Sequence, residues 1–325
     1  MNYKPNKNMP EKNNTTTTFT ISYNAIIAFL FSISFIFFQI NIEAGNLCQK
    51  QESEDFTVSE GLLWEIQHTD LQHSSYIFGT IHVDDERVME VSDKMIDEIF
   101  DEINQLWVEL IPGDIDFNTI AKHIMMEETT LSELLSEEEF AILEKWAEEN
   151  LGLPAEMLNN IKPLYIHSIY MMTNQMGAGG MEVQDMKIMR KAQEREIEVK
   201  ALEDAEEQFK AMETIPVEEQ AEDLARALRG EEGGTLDDQL EELIGIYLRE
   251  DLAAMMELSE AFGSFQYGKD AILHDRNKNM WDKIKPELKE NPLLIAVGSL
   301  HLPGNTGLLK ALCEAGYDVR RIKLD

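Results

Sequence analysis

Leu293-Leu-Ile-Ala-Val-Gly-Ser-Leu-His301 opens on five aliphatic residues and closes on glycine, serine, leucine and histidine. An unbroken apolar run of this length ahead of a glycine reads as a buried strand. A helix is expected next over about Thr306–Glu314, stopped by Gly316, and Tyr317–Leu324 reads as a final strand. Strand, helix and strand within about 32 residues make a βαβ unit, which normally closes right-handed onto a parallel sheet. The end of the chain therefore points to an α/β fold.

The first half supplies more strands. Leu62–Gln67 and Ser75–Gly79 are apolar-rich and flank the turn-like Asp70–Ser74, so they are expected to form a hairpin. Ser92 is expected to cap a helix whose apolar residues Met95, Ile96, Ile99, Phe100 and Ile103 share one face. Leu106–Ile111 reads as a strand closed by Pro112-Gly113. From about 115 to 270 the pattern is helical, acidic and Met-rich. Helices are expected over Ser132–Glu149, Pro163–Gln175, Gln184–Arg195, Glu218–Arg229 and Thr235–Phe262, with one short strand at Glu198–Leu202. The acidic faces read as solvated helix surface. The methionines Met171, Met172, Met176, Met181, Met186 and Met189 read as core filler. The architecture that follows is α/β (α+β): a small mixed sheet built from both ends of the chain, with a large acidic helical insertion over about 115–270. Residues 45–325 are expected to form one domain.

The 325 residues carry 62 Asp and Glu against 28 Lys and Arg, a formal net charge of -34. Such a polyanion is repelled by phosphate backbones and anionic headgroups, which excludes nucleic-acid binding. Ala25–Phe38 is uncharged, as long as a secretory apolar core and short for a bilayer span. Residues 1–44 are thus expected to be a signal peptide cleaved after Ala44, or else an uncleaved anchor over residues 19–42. Either way the folded part is secreted, periplasmic or held at the cell envelope. Cys48 and Cys313 are the only cysteines; in an oxidising compartment they either pair or remain two separate thiols.

Two distant segments share one signature. Ile77-Phe-Gly79-Thr-Ile-His82-Val and Ala296-Val-Gly298-Ser-Leu-His301-Leu are each a strand end followed by Gly-x-x-His. Histidine is the commonest neutral metal ligand, and glycine lets the backbone turn sharply where a strand delivers a side chain. Sites in α/β sheets gather at the carboxyl ends of strands. Glu109 sits amid apolar residues, where a carboxylate is costly unless paired or bound to metal. Two histidines and one carboxylate make an open-coordination set with room for water. The same residues also suit histidines hydrogen-bonded to backbone and a glutamate on a surface edge. His68, His73, His123, His167 and His274 have no partner spacing and read as ordinary surface or core residues. The Gly177–Gly180 loop follows a helix rather than a strand, so it fails the dinucleotide fingerprint. No Gly-x-Ser-x-Gly elbow is present, which disfavours a serine hydrolase.

Taken together, these motifs resemble the TraB/GumN family, to which the Tiki metalloproteases are related. The resemblance is carried by the two Gly-x-x-His elements, Glu109, Gly180-Met-Glu182, Ala201-Leu-Glu203 with Glu207-Gln208, Asp275-Arg276-Asn277, and His301-Leu-Pro-Gly-Asn-Thr-Gly307 with Gly316-Tyr317. It implies a divalent-metal-dependent hydrolase acting on a peptide or protein substrate, with Mn²⁺, Co²⁺ or Zn²⁺ suited to the donors. His82 and His301 would be ligands, and Glu109 a ligand or the base that deprotonates water. Arg276 and Asn277 would orient or stabilise an oxyanion, with Glu203 beside them; a salt bridge for Arg276 and a charged strand end for Glu203 are the plainer readings. Glu182 departs from the family's aspartate. Some relatives restrain peptide pheromones without established catalysis, so a peptide-holding protein is the alternative; haem binding is a third. Membrane contact is expected only through residues 19–42 if they are retained.

Overall fold

The computed structural model describes residues 45–50, 55–112, 117–175, 183–230, 236–260 and 263–323. Six strands form one mixed sheet: β1 (Leu63–Gln67), β2 (Ser75–Thr80), β3 (Gln105–Val108), β4 (Glu198–Ala201), β5 (Leu293–Gly298) and β6 (Asp318–Ile322). Their order across the sheet is β4-β3-β5-β2-β1-β6. β1 and β2 are the expected antiparallel hairpin, with Trp64 opposite Ile77. β2 pairs in parallel with β5, and β3 in parallel with β5 and β4. The two ends of the chain thus interleave at the centre, and the insertion adds β4 at one edge.

The last strand differs from the simplest βαβ picture. β6 hydrogen-bonds antiparallel to β1, with Trp64 opposite Arg321, and β2 and β1 lie between it and β5. It runs in the direction of β5, but the helix Leu308–Glu314 crosses over two intervening strands. The reason is the hairpin: β2 already occupies the flank of β5 opposite β3, leaving β1 as the open edge.

Three helix boundaries also differ, two through local caps and one through contacts distant in the chain. Ser92 does not cap its helix, which runs over Glu86–Ile99. Asp85 starts it instead, accepting the Arg87 amide on its carboxylate and the Met89 amide on its carbonyl. Ser92 is buried in mid-helix, donating to the Val88 carbonyl and accepting from Gln184 Nε2. The expected Ser132–Glu149 helix breaks after Leu134, because Ser136 caps a new helix over Glu137–Leu151 through the Glu139 amide. The expected Thr235–Phe262 helix divides into Leu236–Leu248 and Leu252–Glu260. Glu250 at the break adopts a left-handed φ of 57°, an uncommon choice for a residue with a side chain. Its carbonyl accepts the Gly61 amide, and its buried carboxylate accepts the Leu62 amide and pairs with Arg321.

The insertion has its own apolar core, in which Leu131, Leu143, Trp146, Ile166 and Leu224 pack. Met189 is buried as core filler should be, whereas Met186 is 43% exposed. The side chains of Met172, Met176 and Met181 lie outside the described residues. Among the described residues no helix is long and apolar enough to cross a membrane.

Cys48 and Cys313 are joined in a disulfide with Cα atoms 5.2 Å apart. Beside it Asn46 accepts the Val319 amide and donates to Asp318, so the start of the described chain is tied to β6. A cross-link over 265 residues removes much of the unfolded chain's freedom, on the chain-entropy model up to about 5 kcal/mol. Cys313→Ser is expected to lose a substantial part of that, read as a lower denaturant midpoint under non-reducing conditions; the same midpoint before and after reduction of the wild type would refute it.

Candidate active site

Four neighbouring parallel strands end at the same edge of the sheet, and each delivers one site residue just past its last pairing. Across the order β4-β3-β5-β2 these are Glu203, Glu109, His301 and His82. The register sets Gly79 opposite Val297 and Thr80 opposite Gly298, so the two Gly-x-x-His motifs lie side by side. Both glycines are needed for close approach. A Cβ on Gly79 would stand 2.8 Å from Leu302 Cδ1 and 3.0 Å from Ser299 Cα; one on Gly298 would stand 3.1 Å from Glu109 Oε1.

Glu109 is buried, and both of its oxygens are engaged. Oε1 accepts the Gly298 amide at 2.5 Å, and Oε2 accepts Arg276 Nη2 at 2.6 Å. Burial works to raise its pKa, but His301, Arg276, His82 and the Gly298 amide outweigh burial and hold it at about 2. Glu203 is more deeply buried, and burial raises its pKa despite Arg276. Arg276 Nε reaches its two oxygens at 2.8 and 3.1 Å, and Nη2 reaches Oε1 at 2.8 Å. Arg276 therefore bridges two buried carboxylates with one planar fork, while Nη1 donates to the Ile272 carbonyl. It stands at the start of helix Arg276–Glu290, directly after π-helical turns over Asp270–Asp275.

The next residue, Asn277, orients His301. Asn277 Nδ2 donates to the Thr306 carbonyl at 3.0 Å, which leaves its Oδ1 as the acceptor 2.6 Å from His301 Nδ1. His301 Nδ1 therefore carries the proton, and Nε2 presents a lone pair 3.8 Å from Glu109 Oε1. Burial, reinforced by Arg276 and His82 against the pull of Glu109, lowers the His301 pKa to about 4. The imidazole is neutral at physiological pH.

His82 is different in kind. Its side chain is 66% exposed, and Nδ1 lies 2.9 Å from Asp185 Oδ2. Thr80 Oγ1 donates to the other Asp185 oxygen at 2.7 Å. The hydrogen bond to Asp185 is the main cause that raises the His82 pKa to about 9, and Glu109 and Arg276 are near enough to add smaller opposing effects.

The structure thus brings together His82, His301, Glu109, Glu203, Arg276 and Asn277, all singled out from sequence. Glu182 lies outside the described residues. Sequence reasoning missed Asp185, Thr80, Gln184 and the Thr306 carbonyl. The one signal for Asp185 was an acidic residue in the first turn of the helix Gln184–Glu194, three places beyond Glu182. His123, read as ordinary, is buried, with Nδ1 3.1 Å from Glu213 and its ring stacked on Phe209.

Among the described residues no group of three or more His, Cys, Asp or Glu side chains forms a ready metal cage. The donor chemistry nonetheless fits a divalent ion. Nδ1 of each histidine lies against a side-chain oxygen, Asp185 in an ion-pair contact and Asn277 in a hydrogen bond, and an oxygen partner at Nδ1 is the usual support around an imidazole that binds metal through Nε2.

A family model described as the TraB/PrgY/gumN family matches residues 62–321. The chain belongs to the TraB/PrgY/gumN family. In this TraB/PrgY/gumN chain the match runs from just before β1 to within one residue of the end of β6, so it takes in the whole sheet edge and every site residue. Comparison with curated proteins and with solved structures finds no match.

Two outcomes follow from this geometry. Arg276→Met leaves two buried carboxylates unpaired and should cost about 3–5 kcal/mol in denaturant unfolding, with Arg276→Lys unable to restore the two-sided fork. In the metal-free protein, NMR titration should place His82 near pKa 9, falling toward the ordinary imidazole value of 6.5 in Asp185→Asn. Because the folded pKa is the higher one, the stability this pair contributes is full below about pH 6.5 and is lost as pH rises through about 9.

Proposed function

We propose that this chain is a divalent-metal-dependent hydrolase, acting as a peptidase outside the cytoplasm. One observation carries the reading: two imidazoles from matching strand ends lie on the same sheet edge as Glu109, His301 with Nδ1 bonded to Asn277 and His82 with Nδ1 in an ion-pair contact with Asp185. His82, His301 and Glu109 would hold the ion, which supplies Lewis acidity toward water and a substrate carbonyl. Arg276 and the Gly298 amide hold Glu109 in its ionised form, which suits a ligand. Arg276 balances the charge of Glu109 and Glu203 rather than meeting substrate, because its fork is occupied by both. Asn277 and Asp185 fix the two imidazole tautomers. The Cys48–Cys313 disulfide and the apolar run Ala25–Phe38 support export, since disulfides persist in oxidising compartments.

A second reading has an observation of its own. Both Glu109 oxygens already have protein partners, and the described residues hold no closed cage, as a pocket that merely retains a peptide would allow.

Metal analysis and peptide-library cleavage on the same purified samples separate the two, with wild type beside His82→Ala and His301→Ala. Stoichiometric Mn²⁺, Co²⁺ or Zn²⁺ together with cleavage, both lost in each variant, is the expected result. Affinity should strengthen as pH rises toward 9, because His82 has to release its proton to bind. Metal or peptide binding without turnover would favour the retaining protein. No metal binding at any pH up to 9 would sink the metallohydrolase.

A further inference from the structure

Tyr247 is fully buried where the insertion meets the first Gly-x-x-His motif, and no role above uses it. It lies near the end of helix Leu236–Leu248, with its hydroxyl 2.9 Å from the Gly79 carbonyl and 3.0 Å from Gln184 Oε1. Gln184, also fully buried, accepts the Ile81 amide on that same Oε1 at 3.0 Å. Its Nε2 donates to Ser92 Oγ at 2.8 Å and to the Val88 carbonyl at 3.3 Å. The Ile81 amide lies one residue past the last pairing of β2, where no strand bonds it, and a side chain takes the place of the ladder.

A phenol and a carboxamide cost free energy in a dry interior unless every polar atom is bonded, and Phe and Met would fill the same space without that cost. Polar groups bonded in this way admit one arrangement of the turn, whereas apolar contacts would tolerate several. The residues they grip are Gly79 and Ile81, on either side of the Thr80 that bonds Asp185 and immediately before His82. The same helix also meets this segment from outside, where Glu241 takes Arg87 at 2.7 and 2.9 Å, but an exposed ion pair is a weak constraint. His301, by contrast, is oriented by Asn277 and the Thr306 carbonyl, which owe nothing to that helix.

We infer that Tyr247 is a positioning residue for the first histidine motif: through the Gly79 carbonyl and Gln184 it fixes the turn that carries His82. Helix Leu236–Leu248 of the insertion thereby sets the placement of one histidine and not the other. The inference rests on His82 being a working residue of the proposed hydrolase, but its test uses no turnover, so an inactive wild type would overturn the hydrolase reading alone.

The experiment compares amide hydrogen exchange and imidazole NMR resonances in the full chain for wild type, Tyr247→Phe and Glu241→Gln. Loss of the hydroxyl should speed exchange at Ile81 about 10-fold or more and shift the His82 ring resonances, while His301 stays in place. Glu241→Gln should leave both rings near their wild-type positions. The proposal is overturned if Tyr247→Phe leaves Ile81 protection unchanged. It is equally overturned if His82 and His301 shift together with a general rise in exchange across β5, which would mark simple destabilisation. Should Tyr247→Phe fail to fold, the wild type decides: an Ile81 amide exchanging at the rate of exposed loops contradicts the inference, and one as protected as Val297 supports it.

Discussion

The site edge of the sheet depends on one buried guanidinium. Arg276 is held between Glu109 and Glu203, and those two carboxylates follow the adjacent strands β3 and β4. Neither acid could remain ionised in that position alone, since an isolated buried charge is among the most expensive features a protein can contain. With Arg276 present, Glu109 stays ionised and its second oxygen is free to accept the Gly298 amide. One ion triad thereby ties β4, β3 and β5 at their carboxyl ends. It also joins them to helix Arg276–Glu290, whose next residue orients His301.

The two histidines are held by different means, which suits different tasks. His301 is buried, neutral and fixed by an amide whose own orientation is set by a backbone carbonyl. His82 is exposed and raised in pKa by a carboxylate. The acidic insertion is no passive appendage between the two halves of the sheet. It contributes β4 and Glu203 to the edge, Asp185 to His82, and Tyr247 to the turn before it. At the other margin its Glu250 reaches Arg321 of β6 and the Leu62 amide at the entry to β1.

Most of the site was legible because its residues carry a chemical signature that survives without coordinates. A repeated Gly-x-x-His at two strand ends and a glutamate amid apolar residues name three of the converging side chains, and the family resemblance adds Glu203, Arg276 and Asn277. Cys48 and Cys313 could be paired on paper only as one of two options; their Cα separation of 5.2 Å decides it. Asp185 was not legible, because an acid in a first helical turn is ordinary dipole chemistry until His82 is seen beside it. The helix breaks at Ser136 and Glu250 contrast in the same way. Ser136 caps through its own neighbour three residues on, a local rule that could have been read. Glu250 breaks its helix through Gly61, Leu62 and Arg321, which are far away in the chain.

By itself the sequence determined the six strands, several of the helices and which residues bear the imidazoles and the lone glutamate at strand ends, because periodicity and residue type act over a few positions. Tertiary structure alone decided that β6 lies beyond β1 and not beside β5, since both flanks of β5 are taken by β2 and β3. It alone decided that Arg276 serves two carboxylates and that Asp185 serves His82. Those outcomes depend on distances between residues about 70 to 170 positions apart in the chain, which no local pattern encodes and only the closed sheet supplies.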